Sequence, residues 1–160
     1  MTFPTALRGA LAVAALTTTF AAAVHARNVQ HMVPVAEPLA AARSGDGVAD
    51  IAFAFGSVSA KGADVVGGAT SVQGTASPYA EPHGFKPTDD EVCRLAFRDA
   101  LKRLAVLARA AGGRAVVGIV STYNGVTIDD ADQVECRLGQ SKALVPLSGV
   151  IARAVPVAAP

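Results

Sequence analysis

The chain has no tryptophan, two tyrosines and only two cysteines, and aromatic residues make up 5% of it. With so few rings there is little from which to build the stacking platforms that hold sugars or nucleobases. Past residue 26 there is no apolar run near the roughly 20 residues that a membrane-spanning helix needs. A surplus of either charge is missing too. With residues 1–26 set aside, 13 basic residues face 13 acidic ones, which suits a nucleic-acid binder poorly because phosphates must be neutralised by excess cations. Nucleic acid is therefore not an expected partner. The chain also lacks a G-x-x-x-x-G-K-[ST] phosphate loop, a C-x₂-C or H-x₃-H metal spacing and a G-x-S-x-G nucleophile turn. Neither an enzymatic activity nor a cofactor is expected.

What is present starts with an export pattern. Arg8 and the amino terminus supply positive charge, Ala10 to Val24 form an apolar stretch of 15 residues, and Val24-His25-Ala26 places small residues at the −3 and −1 positions of a cleavage site. Cleavage is expected after Ala26, with Ala23 as an alternative. The stretch is short for a bilayer span and diluted by threonine, and no lipid-acceptor cysteine follows it. This divides the chain into a signal peptide (1–26), an N-terminal lead segment (27–47) and a single domain (48–160). The mature protein is expected to be periplasmic and not membrane-spanning.

Along the domain, Pro38 to Arg43 suits a short helix with proline in its first turn and Gly45 as its stop. Asp50 to Gly56 alternates, with Ile51, Phe53 and Phe55 on one face of a strand. Residues 56–88, rich in glycine and proline, read as irregular, with short strand pieces at 64–66 and 70–73 on either side of Gly67-Gly68. Thr88-Asp89-Asp90-Glu91 is a capping box that opens a long helix, and Gly112-Gly113 closes it. Winding 89–111 at 100° per residue gathers Phe97, Ala100, Leu101, Leu104, Leu107, Ala108 and Ala111 in an apolar arc with Cys93 near its middle. A strand follows from Ala115 to Tyr123, then a tight turn at Asn124-Gly125. After a polar turn at Asp129, Asp130 and Asp132, Val134, Cys136 and Leu138 alternate with Glu135 and Arg137, which turns Cys136 inward. The last run, Ala143 to Val155, contains Pro146 and Gly149 and suggests an edge or bulged strand. The fold class is α+β, one long amphipathic helix packed on a mostly antiparallel sheet.

Two features carry chemistry. Cys93 and Cys136 both face the expected core, and in an oxidising compartment a lone pair is most simply a structural disulfide. Free buried thiols, or metal and redox work, are the other readings. A metal site would have to combine Cys93 and Cys136 with a residue such as His83, and the histidines His31 and His83 lie far apart in irregular segments. The acidic turn at 129–132 reads as solvated rather than as a calcium site. The second feature is a basic stripe on the helix, Arg94, Arg98, Lys102 and Arg109. It is either an ordinary solvated face or an interaction face for an acidic envelope partner, lipid headgroups or a second subunit.

The segment from Ala108 to Tyr123 (ARAAGGRAVVGIVSTY), with its helix end, glycines, A-V-V-G-I strand and tyrosine, resembles the YbjQ-type heavy-metal-binding family. The final VPLSGVI run, Val145 to Ile151, is similar to that family's closing strand. The likeness covers roughly 88–155 and extends to Rcs-sensor-like proteins and to small exported proteobacterial proteins sometimes labelled "excinuclease ATPase subunit". That label has no support here, because the phosphate loop and a zinc-binding cysteine tetrad are both missing. The family's metal label does not carry over residue by residue either. The resemblance implies a YbjQ-like fold and a tendency to self-associate. The expected function is an exported, non-enzymatic binding or assembly module stabilised by one disulfide, with a periplasmic metal-binding protein and a thiol-redox protein as rivals.

Overall fold

The computed structural model describes residues 27–79 and 87–156. The expected signal peptide (1–26) and His83 lie outside the described residues. Seven strands and two helices appear in the order β1 (Val29–Pro34), α1 (Ala36–Gly45), β2 (Ala52–Phe55), β3 (Val65–Ala76), α2 (Asp89–Ala110), β4 (Ala115–Tyr123), β5 (Val126–Ile128), β6 (Gln133–Leu138) and β7 (Ala143–Ala152). A single 3₁₀ turn, Ser57–Ala60, follows β2. Both helices pack on a curled, mostly antiparallel sheet, so the α+β class is observed.

The long helix forms as its ends dictate. The Thr88 hydroxyl accepts from the Glu91 amide at 3.3 Å, and the Glu91 carboxylate accepts from the Thr88 amide at 2.7 Å. These contacts satisfy donors that an uncapped first turn would leave open. At the other end Gly112 takes a φ of 71°, and the Gly113 amide reaches back to the Ala108 carbonyl at 2.8 Å. The inner face of α2 buries Cys93, Phe97, Ala100, Leu101, Leu104 and Ala108. Phe97 meets Phe55 edge-on, with ring centroids 5.8 Å apart. Leu107 and Ala111 do not belong to that face. Leu107 is 38% exposed, because α2 presents only its central stripe to the sheet and Leu107 lies on its flank.

β7 is the middle of the sheet, not an edge. β3 runs antiparallel along one side of it, from Ala76↔Ala143 to Val65↔Ala152. The other side is shared: β6 pairs with Ala143 and Leu144, and β4 takes over from Leu147 to Ala152. β4 also pairs in parallel with β2 and forms a hairpin with β5, while β6 pairs with β1. The hairpin turns through Asn124 and Gly125, both with positive φ, as a two-residue mirror-image turn requires. Pro146 survives in the central strand because of register. It sits opposite Gln73 and falls between the last residue paired to β6 and the first paired to β4. Its missing N–H therefore breaks no ladder hydrogen bond.

Two segments differ from the sequence reading. The lead segment 27–47 is built into the fold: β1 pairs with β6 over six residues, and α1 packs on α2 through buried Pro38 and Ala42. Between 56 and 88, the two short pieces expected around Gly67-Gly68 are one strand of 12 residues with a register shift between Val65 and Ala69. Its small residues have a packing reason. A Cβ on Gly74 would lie 2.1 Å from the Ala96 carbonyl oxygen and 2.3 Å from the Ala100 nitrogen. The backbone of α2 rests directly on β3, and only glycine permits that approach.

Candidate functional site

α2 carries Cys93 and all four residues of the basic stripe. Its first turns are tied to the sheet by the Cys93–Cys136 disulfide, with Cα atoms 5.8 Å apart and both residues fully buried. The bond joins helix to strand β6 across 43 positions of chain. In this state neither sulfur is a thiolate, so neither is available as a metal ligand or nucleophile.

The basic stripe turns toward the protein's own carboxylates. Arg94 donates to Glu37 of α1 at 2.6 Å and pairs with Asp90 at 2.7 Å. Arg98 forks onto both oxygens of Asp46 at 2.6 and 2.9 Å, and Lys102 stands 4.0 Å from the same group. Arg109 pairs with Asp50 and donates to the Gly47 carbonyl at 2.6 Å. The Arg98 guanidinium holds the Asp46 carboxyl below its ordinary range, and Asp50 is lowered in the same way by Arg109. Thus Arg94, Arg98 and Arg109 fasten α1 and the loop after it to α2. Lys102 is the loosest of the four, with its side chain 47% exposed.

The other polar candidates have similar local duties. His31 lies 3.4 Å from Asp90. Asp129 receives the Ser57 amide at 2.7 Å and the Ser57 hydroxyl, contacts that lower its carboxyl. Asp130 accepts the amides of Asp132 and Gln133, so the acidic turn caps its own backbone. Among the described residues no cluster of three or more His, Cys, Asp or Glu side chains could hold a metal ion. One buried charge escaped the sequence reading: Glu135 is 1% exposed and lies 2.5 Å from Arg137, whose guanidinium sits 4.7 Å over the Tyr123 ring.

The opposite flank of α2 has the more open geometry. Among the described residues, strand β3 pairs only with β7, and its far edge is bare along most of its length. α2 overhangs that edge and forms a groove of about 840 Å³, lined by Ser71, Gln73 and Thr75 below and by Asp99, Arg103 and Leu107 above. Val106, 61% exposed, and Lys102 lie at its rim. The Thr75 amide donates to Asp99 at 2.9 Å, and Asp99 also holds Arg103 at 2.8 Å. Burial raises the Asp99 carboxyl, but these two donors more than offset it and the group ends below its ordinary range. The signal for this flank was Val106, an apolar residue outside the helix's buried arc. It carried no meaning until the strand beside it was known. No protein-family model, curated protein or solved structure matches the chain.

Proposed function

We propose that the protein is an exported, non-enzymatic binding or assembly module of the periplasm, with a YbjQ-like fold held by one disulfide. The observation that carries this reading is the Cys93–Cys136 bond between α2 and β6. A buried disulfide belongs to an oxidising compartment, which agrees with the export pattern at residues 1–26. No helix among the described residues is long and apolar enough to cross a membrane. The binding role is supported by what the polar side chains do. The conspicuous cations and carboxylates cap helices, order turns or join α1 to α2, while the groove beside β3 leaves backbone and apolar surface open.

The test is expression of the complete chain with its own signal in a Gram-negative host. Fractionation, amino-terminal sequencing and mass spectrometry without reductant are expected to give a periplasmic product starting near Arg27, two hydrogens lighter than its thiol form. Full-length protein in the cytosol, or two alkylatable thiols, overturns the reading. Stoichiometric metal in protein purified without added metal would replace it with the metal-binding rival, and accelerated insulin reduction with the redox rival.

A further inference from the structure

We infer that the free edge of β3 is a strand-addition site, taking an extended peptide segment of a partner as an eighth strand beneath the flank of α2. This rests on the binding-module reading and names its surface and ligand class.

The register of β3 dictates which groups are offered. Residues of an antiparallel strand direct their N–H and C=O alternately to one neighbour and the other. The Thr75 amide points away from β7, toward Asp99. The same is then true of Gln73 and Ser71, two and four residues earlier. Pro146 opposite Gln73 agrees, because a residue with no N–H sits comfortably where the pair exchanges no hydrogen bonds. Among the described residues, the backbone groups of Ser71 and Gln73 find no partner outside the ladder. Thr75 is already occupied by Asp99, so an added strand would pair with 69–73 and stop there.

The occupant follows from α2. Its backbone rests directly on β3 at Gly74, where a Cβ would come within 2.3 Å of the Ala100 nitrogen. Two copies joined through their β3 edges would be related by a two-fold axis normal to the sheet. Both α2 helices would then lie on the same face, only about one strand spacing of ~4.8 Å apart. Packed helix axes need roughly 8–10 Å. A second copy does not fit, whereas an extended segment with no helix of its own does. The groove's lining also selects side chains. Leu107 and Val106 offer apolar contact, and the single carboxylate there, Asp99, is committed to Thr75 and Arg103. Lys102 and Arg103 together exceed it by one positive charge, since the Asp46 carboxylate 4.0 Å from Lys102 is already held through both oxygens by Arg98. The segment that fits is therefore β-prone, with apolar side chains toward α2 and one carboxylate near Lys102 and Arg103.

The probe is a synthetic peptide of about eight residues, alternating valine and threonine around a central aspartate. Its controls are the same peptide with lysine for aspartate and one N-methylated on alternate amides. Amide hydrogen exchange of the full, disulfide-bonded mature protein is followed by NMR. With the acidic peptide at ten times its dissociation constant, exchange at Ser71 and Gln73 slows about tenfold. The N-methylated peptide gives no slowing, and Gln73→Pro abolishes the effect. Because Gln73→Pro can also disturb the strand, the charge-reversed pair K102E/R103E serves as an independent variant, and it transfers preference from the aspartate to the lysine peptide. Equal protection by the N-methylated peptide, or none from any peptide at millimolar concentration, overturns the proposal. So does protection of Ser71 and Gln73 in a concentration-dependent dimer without peptide. A physiological partner that still binds Gln73→Pro and K102E/R103E unchanged would overturn this site while leaving the binding-module reading intact.

Discussion

Gly74 of β3 lies in direct contact with the Ala96–Ala100 turn of α2, so close that a methyl group there would stand 2.1 Å from the Ala96 carbonyl oxygen. The neighbouring atoms are helix backbone and cannot rotate aside. Gly74→Ala is expected to destabilise the domain by about 3 kcal/mol, at the upper end of ordinary overpacking costs. Gly68→Ala, where nothing lies within 4 Å of the new atom, is the control and leaves the urea midpoint nearly unchanged. Equal midpoints for the two variants would mean that α2 does not rest on β3.

The disulfide predicts a large loss on removal. Closing a loop across 43 positions restricts the unfolded chain by roughly 4 kcal/mol on the chain-entropy account. The double variant C93A/C136A, which leaves no buried thiol unpaired, is expected to lose most of that in equilibrium denaturation. Dithiothreitol lowers the midpoint of the native protein and leaves that of the variant unmoved.

Asp46 gives the fold an acid dependence. Its folded carboxyl is held below the ordinary value of 3.8 by the Arg98 fork, and its side chain is 12% exposed. A depressed carboxyl contributes stability that is complete above the unfolded value and is lost as pH falls through the folded one. Stability should therefore decline below about pH 4. Asp46→Asn is expected to lower stability at pH 7 by about 1–2 kcal/mol and to flatten the decline. Denaturant titrations between pH 3 and 7 read both effects.

On β6 the buried Glu135 pairs with the partly exposed Arg137. Truncating Arg137 strands a carboxylate that is 1% exposed, so Arg137→Ala is expected to cost about 3 kcal/mol. Adding Glu135→Gln in the same chain recovers part of the loss, since a neutral amide needs no counter-charge. A double-mutant cycle with strictly additive effects would show that the two groups are not coupled.

Much of the architecture was legible along the chain because its signals are local. The Thr88–Glu91 box, the glycines after Ala111 and the Asn124-Gly125 turn each act within a few residues. The alternations at 51–55 and 134–138 place Phe53, Phe55 and Cys136 on inward faces, where they are found. The misses are nonlocal. β1 has a weak pattern of its own and becomes a strand by pairing with β6. β3 looks like a loop because it is rich in glycine, and Gly74 suits the helix lying on it, not the strand. Leu107 sits at an angle that winding alone assigns to the core, and only the placement of α2 over β3 leaves it outside.

The basic stripe and the cysteine pair divide along the same line. By itself the sequence determined a capped amphipathic helix, the inward direction of Cys93 and Cys136, the alternating strands and the α+β class, because hydrogen-bond capping and side-chain periodicity are properties of short stretches. Tertiary structure decided that Arg94, Arg98 and Arg109 bind the protein's own Glu37, Asp46 and Asp50, that β7 lies in the middle of the sheet, and that, among the described residues, β3 keeps an open edge under α2. Those outcomes depend on which distant segments share a register or a face, and a carboxylate tens of residues away leaves no mark on the helix it will meet.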